Sequence, residues 1–198
     1  IDVGGYYKAG NAVGVFGRSS FLLFIVVLGI ESARQTVARL KKGRRVEELE
    51  QFALNDSMTG MYNRNAYDYF VKNERDFEGY VIVTFDLNNL KQCNDQYGHR
   101  AGDEYIINAA HIIEDNFERY GKCYRIGGDE FCCIIPKGRY FKIERVMHKI
   151  DQDVEILNHK NIIPVPVGIA YGYAVFTADD TDPEKVRERA DEDMYRNK

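Results

Sequence analysis

The chain has 198 residues, of which 44% are hydrophobic, and its formal net charge is −4. This length suffices for one hydrophobic core of ordinary size and an appended segment, so we expect one globular domain. The acidic balance argues against nucleic acid as a partner, because a general electrostatic grip on it requires a basic face. Four cysteines lack the paired spacings of a zinc site and the density of a disulfide scaffold, which suggests a reducing cytoplasm.

The first element in chain order is an uncharged apolar run, SSFLLFIVVLGI, at residues 19–30. It is shorter than the roughly 20 residues that span a bilayer, but an extension back to residue 11 would suffice. The run could be a complete irregular span, the end of a longer membrane region or a buried core helix. Basic residues follow it closely: Arg34, Arg39, Lys41, Lys42, Arg44 and Arg45. Such a cluster is expected where a helix emerges in the cytoplasm, which favours a partial transmembrane segment over residues 1–30.

Residues 31–54 are mostly helix formers, and we expect a signalling or stalk helix there. The apolar positions form two short seams on either side of Gly43, and the second seam is out of heptad register with the first. This break weakens the coiled-coil pattern. The segment could be a dimerising stalk or, equally, a solvated linker helix. The chain does not begin with Met, which suggests a fragment of a larger protein.

The rest of the chain alternates helix and strand patterns. We predict, in order, helix 64–77, strand 80–85, helix 101–120, strands 122–126 and 131–135, helix 140–157, a strand pair or one long strand at 165–176, and a helix from 183 onward. A strand–helix unit, a hairpin and a helix–strand unit in this order are typical of the ferredoxin-like split βαβ fold. We therefore expect an α+β palm flanked by helices, with strands one and two parallel and strand three between them.

Carboxylates stand at two places that this topology brings to one edge of the sheet. Asp86 ends the apolar strand, and Asp129 and Glu130 occupy the hairpin turn after Gly127 and Gly128. Two or three carboxylates, a backbone carbonyl and phosphate oxygens make a Mg²⁺ site suited to nucleoside triphosphates. The two glycines can adopt positive φ and let phosphate groups approach the backbone amides. An ordinary exposed hairpin would account for the glycines and for either acid alone.

Three further polar residues lie in the segment DLNNLKQCNDQYGHRAGD at residues 86–103. Lys91, just beyond the first strand, could neutralise charge that develops on a transferring phosphoryl group. Asn94 offers both a donor and an acceptor, and Asp103 can accept from two N–H groups at once, as the edge of guanine supplies. Taken singly, each could be a solvated surface residue, and Asp103 could cap a helix.

The segment RIGGDEF at residues 125–131 resembles the signature of the GGDEF family of diguanylate cyclases. Four other segments resemble motifs of the same family in the same order: NDSMTGMYNR at 55–64, residues 86–103, VPVGIAYGYA at 165–174 and RADEDMYRNK at 189–198. The resemblance implies a cyclase domain at 55–198, and the patterns before it predict a partial transmembrane segment at 1–30 and a stalk at 31–54.

The resemblance implies a role for each acidic residue at the sheet edge. Asp86, the Leu87 carbonyl and Asp129 would hold Mg²⁺ or Mn²⁺, with Glu130 assisting. Asp129 would also be the catalytic base. Lys91 would stabilise the transition state, which makes Asp129, Glu130 and Lys91 the predicted catalytic residues.

Substrate-binding positions follow from the same resemblance: Asn94, His99, Asp103, Gly127, Gly128 and Lys198. Asn94 and Asp103 would read guanine, and Lys198 would reach the phosphates. His99 follows a glycine and could equally be a turn or packing residue.

The implied reaction joins two GTP molecules into cyclic di-GMP and releases two pyrophosphates. The 3′-hydroxyl of each GTP attacks the α-phosphate of the other, and each domain binds one GTP. A homodimer would therefore be part of the catalytic apparatus. The resemblance and the apolar run together imply a bacterial inner-membrane protein whose catalytic domain is cytoplasmic.

This chain departs from the family pattern at three places. Asn88 stands where many members have a second Asp, which removes one carboxylate near the metal. Glu118 and Gly121 occupy the positions of the product-inhibition motif Arg-x-x-Asp, so feedback through that site is not expected. The chain stops at Lys198, before the Gly-Arg-Asn stretch that usually follows, so we expect the domain's carboxyl-terminal edge to be missing.

Three other functions remain open at this point. The domain could be a catalytically weak GGDEF module that binds GTP or relays a signal by dimerising. It could be a different nucleotide cyclase or a polymerase-palm enzyme that uses the same metal chemistry. A purely membrane-structural role would fit only the first 50 or so residues.

Overall fold

The computed structural model describes residues 28–37, 53–138 and 142–197. The chain divides into two compact units, residues 1–50 and 51–198. Residues 28–37 of the first unit are helical, whereas most of the predicted transmembrane and stalk segments, residues 1–27 and 38–52, lie outside the described residues. Within the described ranges, no helix combines the length and apolar character that crossing a bilayer requires.

The second unit contains five helices and four strands in its described part. In chain order they are α1 (Arg64–Asn73), β1 (Val81–Asn88), α2 (Leu90–Tyr97), α3 (His99–Phe117), β2 (Lys122–Arg125), β3 (Glu130–Ile135), α4 (Ile143–His159), β4 (Gly168–Val175) and α5 (Pro183–Asn197). The pattern at 165–176 forms one strand, β4. Helix α2 was not predicted, and it lies between the predicted strand 80–85 and the predicted helix 101–120.

Helix α1 ends at Asn73 rather than at the predicted residue 77. Glu74 follows in an extended conformation, with φ −73° and ψ 136°. Its Oε1 accepts hydrogen bonds from the backbone N–H groups of Arg75 (2.9 Å) and Asp76 (3.3 Å). A side chain that bonds nearby backbone groups in this way offers the chain an alternative to the helix.

The four strands form one sheet in the order β2-β3-β1-β4, and neighbouring strands are antiparallel throughout. Strands β1 and β2 therefore run parallel with β3 between them, which confirms the predicted ferredoxin-like α+β fold. The hairpin prediction is also confirmed, since β2 pairs with β3 from Lys122 opposite Ile134 to Arg125 opposite Phe131.

Strand β1 is buried on both faces because helices cover both sides of the sheet. Val83, Phe85 and Leu87 point into the larger core, which α3 and α4 complete. Ile82 points the other way, into a smaller core with residues from α1 and α5. This explains the continuous apolar run in β1, which is typical of a strand covered on both faces.

Helix α5 packs directly on the backbone of β4. A Cβ atom at Gly172 would overlap the Met194 nitrogen and the Ala190 carbonyl oxygen. Only glycine permits this approach, since each of the overlapping atoms belongs to the main chain. The sheet and the carboxyl-terminal helix are therefore in contact along β4, two strands away from the hairpin.

Candidate active site

The end of β1 lies beside the start of β3. Asp86 is directly opposite Glu130 in the antiparallel register. The Leu87 N–H donates a hydrogen bond to the Asp129 carbonyl oxygen at 3.1 Å. The backbone ladder therefore brings these four predicted metal-binding residues to one edge of the sheet.

The chemistry of these donors fits Mg²⁺ or Mn²⁺. All are oxygens, and Mg²⁺ is commonly bound through one or two carboxylates, several waters and the substrate's phosphates. Among the described residues, no group of three or more His, Cys, Asp or Glu side chains gathers closely enough to hold a metal on its own. An ion at this edge would be held by Asp86, Asp129 and the Leu87 carbonyl, assisted by Glu130, together with oxygens that the nucleotide supplies.

The hairpin turn is fastened by Arg125. Its Nε donates to the Gly127 carbonyl oxygen at 3.2 Å, and its Nη2 donates to the Gly128 carbonyl oxygen at 2.8 Å. Its Nη1 forms an ion pair with Asp56 Oδ1 at 3.0 Å, and both side chains are largely buried. The guanidinium group therefore joins the glycine turn to the segment that precedes α1.

Asp56 completes this anchor. Its Oδ1 also accepts from the Thr59 backbone N–H at 2.9 Å and from the Thr59 hydroxyl at 2.8 Å. Burial by itself raises the pKa of Asp56, but the hydrogen bonds from Arg125 and Thr59 outweigh it and hold the pKa below its ordinary value. The carboxylate is therefore charged in the folded protein, as its role opposite Arg125 requires.

The expected positive φ at Gly127 and Gly128 was wrong, since neither glycine has one. The Arg125 side chain donates to both glycine carbonyls in this turn. The glycines contribute space instead. A Cβ atom at Gly128 would meet nothing within 4 Å, and one at Gly127 would lie 3.1 Å from Glu130 Oε2.

The predicted guanine-reading residues lie where α2 meets α3. Asn94 is half-buried on α2, and a Cβ atom at Gly102 of α3 would overlap its Oδ1. Asp103 follows Gly102 directly and is also half-buried. Because α3 begins at His99, Asp103 lies inside the helix and does not cap it.

The remaining predicted residues differ in their placement. Lys91 is exposed in the first turn of α2, and His99 is exposed at the start of α3. Gly98 separates the two helices with φ 83°, and its N–H donates to the Asn94 carbonyl oxygen at 2.9 Å. Lys198 lies outside the described residues.

Tyr105, which sequence reasoning missed, joins α3 to the ends of two strands. Its hydroxyl donates to the Asn88 carbonyl oxygen at 2.6 Å and accepts from the Gly168 N–H at 2.7 Å. Burial raises the pKa of Tyr105, so the hydroxyl keeps its proton for the first of these bonds. Its place at the third residue after the helical Gly102 was the only available signal, and it is a weak one.

Arg187 is a second residue that sequence reasoning missed. Its Nε lies 3.0 Å from Glu184 Oε2, and its Nη1 lies 3.1 Å from Asp191 Oδ2. Arg187 and Asp191 line a cavity of about 60 Å³ together with Asp86 and Glu130. Helix α5 therefore contributes a cation to the wall of this cavity, where Glu184 and Asp191 pair with it.

Comparisons with known proteins identify the family of this domain. Residues 53–198 match the family model described as "Diguanylate cyclase, GGDEF domain". The chain belongs to the GGDEF family. The resemblance found in the sequence is therefore confirmed. The family and a relative named diguanylate cyclase support the predicted enzyme class, the diguanylate cyclases.

Two curated relatives illustrate the range of the family. The chain is 30% identical over 172 residues to the bifunctional diguanylate cyclase/cyclic di-GMP phosphodiesterase MucR of Pseudomonas aeruginosa, covering 82% of this chain and 24% of MucR. It is 29% identical over 158 residues to diguanylate cyclase DgcS of Shewanella oneidensis, covering 77% of this chain and 52% of DgcS. The chain thus spans between a quarter and about half of these relatives.

Among solved structures, the chain is similar to the coiled coil and GGDEF domain of DgcB from Caulobacter crescentus in complex with c-di-GMP. The TM-score is 0.70 at 23% sequence identity, and the match covers 85% of this chain and 92% of the DgcB chain. At this identity the similarity concerns the fold alone, which it supports over most of the chain.

Proposed function

We propose that this chain condenses two GTP molecules into cyclic di-GMP and two pyrophosphates. The register of β1 and β3 carries the proposal, because it sets Asp86 opposite Glu130 and ties Leu87 to Asp129. These groups adjoin a glycine turn with open space at Gly128, where a phosphate group can approach the backbone.

Each residue has one part in the proposed mechanism. Asp86, the Leu87 carbonyl and Asp129 would hold Mg²⁺ or Mn²⁺, assisted by Glu130, and the bound cation would offset charge on the triphosphate. Asp129 accepts the proton of the attacking 3′-hydroxyl. Lys91 neutralises charge that develops on the α-phosphoryl group.

Groups on α2 and α3 and around the glycine turn hold the nucleotide. Asn94 and Asp103 read guanine, while Gly127 and Gly128 leave room for the phosphates. The positive charge of Lys198 attracts the phosphates, and His99 contacts the substrate from the start of α3. Reading guanine through Asp103 favours GTP over ATP, because the ring N–H and exocyclic amine of guanine both donate.

The proposed reaction needs two domains that face each other, since each domain binds one GTP molecule. We therefore propose a homodimer, with residues 31–54 as its stalk and residues 1–30 as its attachment to a bacterial inner membrane. The catalytic domain would face the cytoplasm. Deleting residues 1–30 should release the protein from the membrane fraction of the cell, and unchanged membrane association would contradict this attachment.

The first experiment is incubation of the chain with GTP and Mg²⁺, following cyclic di-GMP by chromatography. We expect product from the unaltered chain, a rate that rises faster than linearly with protein concentration, and no product from Asp129→Ala. The exposed Asp115 on α3 provides a matched control, since Asp115→Ala also removes one carboxylate and should leave the rate unchanged. Equal loss in both variants would argue against a role for Asp129 in the reaction.

A second candidate is a GTP-binding or dimerising relay without turnover. One observation favours it, namely that Asn88 stands where many family members have a second Asp, which leaves one carboxylate fewer near the metal. GTP binding by a dimeric sample with no cyclic di-GMP formed would establish this function instead. ATP in place of GTP tests the remaining alternative of a different nucleotide cyclase.

A further inference from the structure

Two buried cysteines face each other across the hairpin. Cys123 of β2 is the register partner of Cys133 of β3, and the two Sγ atoms are 3.0 Å apart. Their exposed fractions are 4% and 0%, and both thiols are free. The distance between the sulfur atoms exceeds that of an S–S bond, about 2.05 Å, by only about 1 Å.

The backbone around the pair has the geometry that a disulfide needs. The Cys123 carbonyl accepts from the Tyr62 N–H at 3.2 Å, and the Arg125 N–H donates to the Tyr62 carbonyl at 2.7 Å. The main-chain groups of Cys123 and Arg125 therefore point away from β3, so Cys123 and Cys133 form a non-hydrogen-bonded pair. The Cα atoms of such pairs are about 4.5 Å apart, and disulfides bridge Cα separations of about 4.4–6.8 Å.

The other two cysteines are not placed for this reaction. Cys132 lies on the opposite face of the sheet, in the smaller core, and its register partners are Tyr124 and Thr84. Cys93 is buried on α2 and lies in the larger core. The geometry thus selects one pair among the four thiols.

We propose that Cys123 and Cys133 are a redox modification site, at which a peroxide converts the two thiols into a reversible cross-strand disulfide. One thiolate attacks the O–O bond of hydrogen peroxide and becomes a sulfenic acid, releasing the first water. The second thiol displaces hydroxide from that sulfur, forming the S–S bond and a second water. Overall, two thiols are oxidised and one hydrogen peroxide is reduced to two waters, and a dithiol reductant reverses the bond by exchange.

Local opening of the hairpin gives the oxidant access. Strand β2 has only four residues and forms one edge of the described sheet, where its outer side meets Tyr62. Short edge elements open more readily than a central strand such as β1. Burial raises the pKa of Cys133, which keeps the pair reduced until the hairpin opens.

The bond would have a direct structural consequence. It links the two strands that carry the turn from Gly127 to Glu130, and so resists separation of those strands. A cross-link of this kind stabilises a domain mainly by restricting the unfolded chain. Oxidation should therefore raise the melting temperature by several degrees, reversibly.

The experiment treats the reduced, folded chain with increasing hydrogen peroxide, then unfolds and alkylates it with iodoacetamide before mass spectrometry. Four alkylated cysteines are expected before oxidation and two afterwards, with a cross-linked peptide that joins Cys123 to Cys133. Dithiothreitol should restore all four.

Four variants make the test specific. Cys132→Ser should still form the bond, because it removes an equally buried neighbour on the other face. Cys123→Ser and Cys133→Ser should each abolish it, and the double variant Cys93→Ala/Cys132→Ser isolates the pair if a single serine unfolds the domain. The proposal is overturned if this double variant keeps both thiols at peroxide concentrations that oxidise the unfolded chain, or if Cys132 or Cys93 cross-links as readily.

Discussion

The two sides of the candidate site are held in place by different forces. On the carboxylate side, which comprises Asp86, Asp129 and Glu130, positions follow from backbone hydrogen bonds between β1 and β3. On the guanine side, which comprises Asn94 and Asp103, positions follow from the packing of α2 against α3 at Gly102. A strand ladder can shift only by whole residues, whereas two packed helices can move by fractions of an ångström. Substitutions on the carboxylate side should therefore have severe effects, and those on the guanine side should have graded effects.

The largest effect is expected for Asp86→Asn, which keeps the shape of the side chain and the β1 register. Loss of one ligand charge should lower kcat/KM for GTP at least about a hundredfold. The melting temperature should change little, because the backbone pairs are retained. Activity is measured as cyclic di-GMP formed per unit time, with Asp115→Asn on α3 as the control; a loss below tenfold would contradict a ligand role for Asp86.

Arg125→Met tests the anchor on the carboxylate side. It removes an ion pair with Asp56 and two hydrogen bonds to the glycine turn. We expect a loss of about 2–3 kcal/mol in the free energy of unfolding, measured by urea titration at pH 7. The matched control is Arg64→Met, whose pair with Asp68 is 3.5 Å long and half-exposed, and which should cost under about 0.5 kcal/mol.

The same variant predicts a pH dependence. The pKa of Asp56 is lowered in the folded protein, so its charge stabilises the fold above the ordinary value of 3.8, and this contribution is lost as the pH falls through the folded pKa. The stability difference between the unaltered chain and Arg125→Met should therefore shrink in acid. It should not vanish, because Arg125 keeps its bonds to the Gly127 and Gly128 carbonyls. A difference that is constant from pH 7 to pH 3 would exclude Asp56 as the titrating partner.

Gly102→Ala tests the guanine side. The added methyl group would overlap Asn94 Oδ1, and the flexible Asn94 side chain can rotate away. We expect KM for GTP to rise by up to about tenfold with little change in kcat, since the carboxylate side is untouched. In an Asn94→Ala background the same methyl group should add nothing, so a double-mutant cycle measures the coupling. Equal effects in both backgrounds would show that Gly102 acts through another group.

The smallest effect is expected for Thr84→Val in the centre of β1. The Thr84 hydroxyl is buried and finds no hydrogen-bond partner among the described residues. Replacing it with a methyl group of similar size should be neutral or stabilise the fold by up to about 1 kcal/mol. Thr59→Val is the control, because the equally buried Thr59 hydroxyl donates to Asp56 and its loss should destabilise. Both are read by thermal melting.

Sequence reasoning was most accurate where the pattern is local. The β2–β3 hairpin was predicted to within a residue at each strand, since alternating side chains and two glycines define it. It failed at the φ angles of Gly127 and Gly128, because glycine permits a left-handed conformation without requiring one. It also missed α2, which is only eight residues long and ends at a glycine.

The sequence by itself determined the family, the order of the strands and of the longer helices, and the residues that adjoin the sheet edge, because motifs and hydrophobic periodicity depend on near neighbours in the chain. Only the tertiary structure decided which distant side chains meet. The Asp56–Arg125 pair joins residues 69 positions apart, and Cys123 faces Cys133 only through the strand register. Such contacts depend on the packing of whole elements against each other, which no local pattern encodes.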